Sequence, residues 1–135
     1  MEPGEKMGKG IGEGPNRRRV LVVDDEVLTR FALVRRLGKK FEVFEAGDGA
    51  EALVILQAVP IDLVIADLRM PKMDGIALTE RIREHWPEVK VIWYSAYSDN
   101  ESRAWARRLQ VEDFLDKPLN AEAVLNLVAS YFQRP

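Results

Sequence analysis

At 135 residues the chain has room for one domain with a sizeable hydrophobic core and too little for two ordinary ones. Hydrophobic residues make up 47% and charged residues 31%, and 20 Lys and Arg against 22 Asp and Glu leave no global field to draw in nucleic acid or an anionic membrane. The absence of Cys excludes disulfides and thiolate metal sites, no apolar run approaches the roughly 18 residues of a membrane span, and the first residues lack a signal-peptide core, so a cytoplasmic location is expected.

Residues 1–16, "MEPGEKMGKGIGEGPN", hold five of the nine glycines and no aromatic residue, and read as a disordered leader ahead of a domain over residues 17–135. Their glycines do not make a phosphate loop, because such a loop follows a strand and opens a helix, whereas this segment precedes the first strand. Arg17, Arg18 and Arg19 read as a solvated strand entry. From there, "VLVV" (20–23) predicts a buried strand, followed by a helix with Val27, Phe31, Val34 and Leu37 on one face. "FEVFEA" (41–46) predicts a half-alternating strand, and Ala52, Ile55 and Leu56 mark a second helix. "DLVIA" (62–66) is a third strand. Ile76, Leu78, Thr79 and Ile82 mark a third helix, which must end near Trp86 because Pro87 disfavours helix in the residue before it. "VKVIWY" (89–94) and "VEDFL" (111–115) supply the last strands, with helices over 99–110 and 120–132 and Asn120 as an N-cap before Val124, Leu127 and Val128. Five strands alternating with five helices predict an α/β, doubly wound fold with a mainly parallel sheet, and the wholly apolar strands predict that both its faces are covered.

In such a sheet, ligands lie beyond the carboxyl ends of the strands, where strand order reverses. Those ends carry Asp24 and Asp25 after the first strand, Asp67 after the third, Ser95 after the fourth, and Lys117 with Pro118 after the fifth. If the first and third strands are neighbours, three carboxylates converge, which is strongly repulsive unless a cation sits among them. A donor set of oxygens, with no Cys and a single His, favours Mg²⁺ over Ca²⁺ or Zn²⁺. A carboxylate beside Mg²⁺ can attack a phosphoryl group and form an acyl phosphate, with Lys117 and Ser95 offering a cation and a hydroxyl to the peripheral oxygens.

The segments "VLVVDDE", "VIADLRMPKMDG", "VIWYSAY" and "DFLDKP", in this order and at these intervals, resemble the response regulator receiver domain over about residues 19–133. The resemblance implies the flavodoxin-like (βα)5 fold with strand order 2-1-3-4-5. It implies Asp67 as phosphoacceptor from a partner histidine, carried by a sensor histidine kinase or a histidine phosphotransfer protein. It also implies a Mg²⁺ site formed by Asp25, Asp67 and the backbone carbonyl of Arg69, with Asp24 binding through water. Ser95 would hydrogen-bond the phosphoryl group and Lys117 would pair with it, across a cis Lys117–Pro118 bond. Phe114 matches the switch aromatic that turns inward when the serine moves. The output would be a changed face of the fourth helix, fifth strand and fifth helix, read by a downstream protein or attached output domain, or by a second copy in a phosphorylation-dependent homodimer. Direct nucleic-acid or membrane binding is not expected, and the chemistry is limited to the domain's own aspartyl phosphorylation and dephosphorylation.

Two positions depart from the commoner family pattern. Arg69 and Tyr97, two residues beyond Asp67 and Ser95, are large and would flank a water attacking the acyl phosphate, so slow self-dephosphorylation is expected. The residues before Phe114 read "LQVED", where the family usually has Gly-Ala, so a different exit from the fourth helix is expected. His85, the only histidine, falls near a helix C-terminus and suits a surface role there. That argues against a Ser-His-Asp hydrolase and against a phosphohistidine carrier. Trp93 reads as core, and Arg103, Arg107 and Arg108 as a solvated face in the region the family uses for partners. The competing readings are a receiver-like interaction module that is never phosphorylated, and a Mg²⁺-dependent phosphatase of the haloacid dehalogenase type. The phosphatase would resemble D-x-D after the first strand, whereas Asp24 and Asp25 are adjacent.

Overall fold

The structure, a computed structural model, describes residues 17–70 and 73–133; the expected leader over residues 1–16 lies outside them. Among the described residues ten elements alternate: β1 (Arg19–Val23), α1 (Val27–Leu37), β2 (Glu42–Ala46), α2 (Gly49–Ala58), β3 (Leu63–Asp67), α3 (Gly75–His85), β4 (Lys90–Ser95), α4 (Asn100–Arg108), β5 (Asp113–Asp116) and α5 (Ala121–Ser130). All pairings are parallel, in the order β2-β1-β3-β4-β5, which is the expected doubly wound, flavodoxin-like topology. The reversal of strand order falls between β1 and β3, so their carboxyl ends open onto one crevice.

Side chains divide by strand alternation into two cores. Leu21, Val23, Val64, Ala66, Val91 and Trp93 face α2 and α3, while Val20, Val22, Leu63, Ile65, Ile92 and Tyr94 face α1 and α5. Helix starts follow side-chain chemistry: Asp48, Asp74, Asp99 and Asn120 each accept a hydrogen bond from a backbone N–H in the first turn of α2, α3, α4 and α5. α3 stops at His85 with Trp86 as C-cap, as Pro87 requires.

The structure keeps Leu37 and Val34 of the face expected for α1 and corrects Val27 and Phe31. Leu33 and Leu37 are its buried residues, whereas Val27 and Phe31 are exposed at 63% and 57%, together with Leu28 at 78%. The helix meets α5 and the sheet through the Leu33 and Leu37 stripe, with Val34 partly buried beside it. Phe31 instead lies beneath the Arg35 guanidinium, 5.8 Å from its ring centroid. Leu125 joins Val124 and Val128 as a buried residue of α5, while Leu127 is only partly buried.

Gly75 explains how the chain turns back after β3. A Cβ there would lie 2.9 Å from Leu68 Cα and 3.1 Å from Asp67 O, so only glycine lets the start of α3 come this close to the strand end. The Gly75 N–H also donates to Leu68 O at 2.9 Å.

Candidate functional site

The polar residues at the carboxyl ends of β1, β3 and β4 are held by backbone geometry before any side chain acts. Strand register sets Val23 beside Ala66 and Asp67 beside Tyr94, so Asp24 and Asp67 emerge next to each other where the crevice opens. Carboxylate oxygens of Asp24, Asp25 and Asp67 lie within 4.8 Å of one another. Asp24 and Asp67 are buried and Asp25 is exposed, giving the cluster a closed floor and a wet side. The convergence read from the sequence is therefore present.

Each buried carboxylate has defined partners. Asp24 Oδ1 accepts from the Glu26 N–H at 2.8 Å, and Oδ2 accepts from the Tyr94 hydroxyl at 2.5 Å. Asp67 Oδ1 accepts from the Arg69 N–H at 3.0 Å, and Oδ2 accepts from Lys117 Nζ at 2.9 Å. Lys117 also lies 3.8 Å from Glu26 Oε1, and the Lys117–Pro118 peptide bond is cis. Ser95 is fully buried at the tip of β4, where its Oγ accepts from the Tyr97 N–H at 3.1 Å. Arg69 stacks on Tyr97, its guanidinium 5.6 Å from the ring centroid, linking the segments that follow Asp67 and Ser95.

The electrostatics follow from burial and crowding. Desolvation pushes the Asp24 carboxyl above its ordinary value and the Asp67 charge adds to this, against the opposing pull of the Tyr94 hydroxyl, the Glu26 N–H and Lys117. Desolvation would lower Lys117, but its bond to Asp67 and the charges of Asp67, Asp24 and Glu26 outweigh that and hold the ammonium above its ordinary value. The Tyr94 phenol is pushed up by burial and by the neighbouring Asp24 charge, so it remains a donor. One ammonium faces three clustered carboxylates. The Arg30 guanidinium donates to the Asp24 backbone carbonyl and pairs with Glu45, so it does not neutralise the Asp24 carboxylate. Hard oxygen donors with a deficit of positive charge fit a divalent cation such as Mg²⁺.

Phe114 is half-buried on β5, opposite Trp93 in register. Its ring meets Trp93 edge-on at 5.8 Å and lies beneath the Arg103 guanidinium at 5.3 Å. Trp93 is fully buried, as expected, and its indole N–H donates to Thr79 Oγ1 at 2.8 Å. Gln110, in the unusual "LQVED" exit, has φ 57°, a left-handed conformation in which glycine is the ordinary choice. Two site neighbours escaped the sequence reading: Glu26 beside Lys117, and Tyr94 beneath Asp24. For Tyr94 the available signal was a phenol at the end of a buried strand, which has to find a partner for its hydroxyl.

The profile of the response regulator receiver domain matches residues 20–129. The chain belongs to that family. It is 33% identical over 120 residues to the probable transcriptional regulator ycf27 of Cyanophora paradoxa, covering 88% of this chain and 50% of that protein, so it spans half the length of that curated relative. Sensor kinases also stand among its relatives. In three dimensions it resembles a response regulator receiver protein from Pseudomonas putida, with 33% identity, a TM-score of 0.80 and coverage of 87% and 99% of the two chains. It likewise resembles the BeF3-activated DrrB receiver domain, with 25% identity, a TM-score of 0.80 and coverage of 87% and 99%. The receiver is thus a module of two-component signalling. Among the described residues no helix is long and apolar enough to cross a membrane.

Proposed function

We propose that this receiver takes a phosphoryl group from a partner's phosphohistidine onto Asp67, in a reaction that needs Mg²⁺. The observation that carries the reading is the Lys117–Asp67 bond of 2.9 Å inside the cluster of Asp24, Asp25 and Asp67. A carboxylate oxygen of Asp67 attacks phosphorus, the P–N bond of the donor breaks, and its electron pair returns to the imidazole nitrogen, which takes up a proton. The product is an acyl phosphate on Asp67. Mg²⁺, held by Asp25, Asp67 and the Arg69 carbonyl with Asp24 acting through water, would offset the charge on the phosphoryl oxygens. Lys117 exchanges its bond to Asp67 for one to a phosphoryl oxygen, and Ser95 donates its hydroxyl to another.

The output follows from Ser95 and Phe114. A Ser95 hydroxyl turned toward the phosphoryl group leaves the Tyr97 N–H, which loosens the β4–α4 segment. Phe114, held between Trp93 and Arg103, changes its packing with it. Phosphoryl contacts can favour the switched conformer only by the difference in their strength between the two conformers. The altered face of α4, β5 and α5 would be read by a downstream protein, an attached output domain or a second copy. The activation of the DrrB receiver by BeF3 supports the same chemistry in this fold.

Incubation with Mg²⁺ and phosphoramidate, a small donor with a P–N bond, is expected to give one base-labile phosphoryl adduct per chain. p-Nitrophenyl phosphate should not be turned over. Steady ester turnover would instead support the haloacid-dehalogenase reading. Binding of Mg²⁺ without any adduct from phosphoramidate or acetyl phosphate would support an interaction module.

A further inference from the structure

Tyr94 is fully buried, and packing alone would accept phenylalanine there. Its hydroxyl needs a partner, and that partner is Asp24 Oδ2 at 2.5 Å. The same residue touches the site in two more ways. Its ring lies 5.5 Å from Lys117 Nζ, and its backbone carbonyl accepts from the Leu68 N–H at 2.8 Å, fixing the chain just after Asp67. Asp24 cannot drift in response, because its own N–H donates to Ala46 O and its Oδ1 is held by the Glu26 N–H.

We propose that Tyr94 is a positioning residue for the cation site: its hydroxyl pins the plane of the Asp24 carboxylate, and its ring backs the Lys117 ammonium. A carboxylate with a donor on one oxygen still swings about its last torsion, and a donor on each oxygen stops that motion. The orientation in which Asp24 meets a cation, or the water between them, is then fixed before the cation arrives. Groups that orient a metal site from behind in this way typically contribute about 10–100-fold to affinity. The inference rests on the Mg²⁺ reading above, and its test separates the two.

Mg²⁺ binding is measured by calorimetry at pH 7 on the full chain, for the wild type, Tyr94→Phe and Val91→Ala. Val91 is a fully buried β4 residue in the opposite core, so its truncation lowers the melting temperature without touching Asp24. The expected result is an affinity about 10-fold weaker in Tyr94→Phe and unchanged in Val91→Ala. An affinity in Tyr94→Phe equal to or tighter than the wild type's overturns the inference, as does an equal loss in Val91→Ala. Failure of the wild type to bind Mg²⁺ overturns the functional reading and this inference with it. A second measurement needs no variant: the ring resonances of Tyr94 should shift during Mg²⁺ titration and yield the calorimetric Kd, while those of Tyr131 stay still. A Tyr94 ring insensitive to bound Mg²⁺ contradicts the proposal.

Discussion

The two ends of the sheet handle charge in opposite ways. At the amino ends of β4 and β5, Arg83 donates to the carbonyls of Leu109, Val89 and Gln110 at 2.8, 2.6 and 3.0 Å and lies 3.6 Å from Glu112, whose carboxylate accepts from the Val91 N–H. Arg83 and Glu112 are both used there to close the fold. At the carboxyl ends, two buried aspartates and one exposed aspartate share one lysine. That arrangement raises the free energy of the cation-free protein and is useful only if something positive, and then a phosphoryl group, arrives. Stability is built at one end of the sheet, and its partial sacrifice at the other end is what permits chemistry.

The sharpest way to break this contrast is Arg83→Ala. It leaves the partly buried carbonyls of Leu109 and Val89 without this donor and should cost about 2–4 kcal/mol, read as a lower denaturation midpoint, with Mg²⁺ affinity unchanged in the folded protein. An equal loss of Mg²⁺ affinity would show that the two ends are not independent.

At the other end, Arg69→Asn combined with Tyr97→Glu removes the stack that links the segments after Asp67 and Ser95. The acyl phosphate should then hydrolyse about tenfold faster, equivalent to roughly 1.4 kcal/mol of barrier. A half-life that does not shorten contradicts the shielding role.

Asp24→Asn should stabilise the Mg²⁺-free protein by about 1 kcal/mol at pH 7, because it removes a desolvated charge beside Asp67, its amide oxygen still accepts from the Glu26 N–H, and its NH2 donates to the Tyr94 hydroxyl oxygen in place of the bond that hydroxyl gave. The folded-state pKa of Asp24 lies above the ordinary 3.8, so the unfolded chain releases this proton first as pH rises. The wild type therefore loses stability from 3.8 up to the raised folded value, and the gap to Asp24→Asn should close as pH falls toward 3.8. Lys117 works the other way: its raised pKa contributes stability below 10.5 that is lost as pH rises through the folded value.

The smallest expected effect lies at the amino end, in the connection from α4 to β5. Gln110→Gly relieves a left-handed residue at the exit of α4 and should stabilise by roughly 0.5 kcal/mol, after the backbone entropy that glycine loses on folding. A destabilised variant would mean that the Gln110 side chain contributes more than its backbone strain costs.

The fold was legible because alternating apolar runs and helical periods fix an α/β chain, and the acids at the strand tips marked the crevice. Asp24, Asp67 and Lys117 come together as their positions in the strand pattern require. The buried face of α1 was only partly legible. The face expected through Val27, Phe31, Val34 and Leu37 meets the core only along its Val34 and Leu37 edge, because Leu33 lies just beyond that edge and periodicity cannot say how far the helix turns toward it. The role of Tyr94 was hidden for a related reason: alternation tells which side of the sheet its ring takes, but its partner Asp24 is 70 residues away in sequence. The "LQVED" segment departs from the family's usual Gly-Ala, and the positive φ of Gln110 within it gives that departure a physical meaning.

The most direct test of the account is the intact mass of the wild type and of Asp67→Asn after incubation with acetyl phosphate, with and without Mg²⁺. A single phosphoryl adduct that needs Mg²⁺ is expected on the wild type, and none on Asp67→Asn. An adduct of equal yield on Asp67→Asn, or one that forms without a divalent cation, would contradict it.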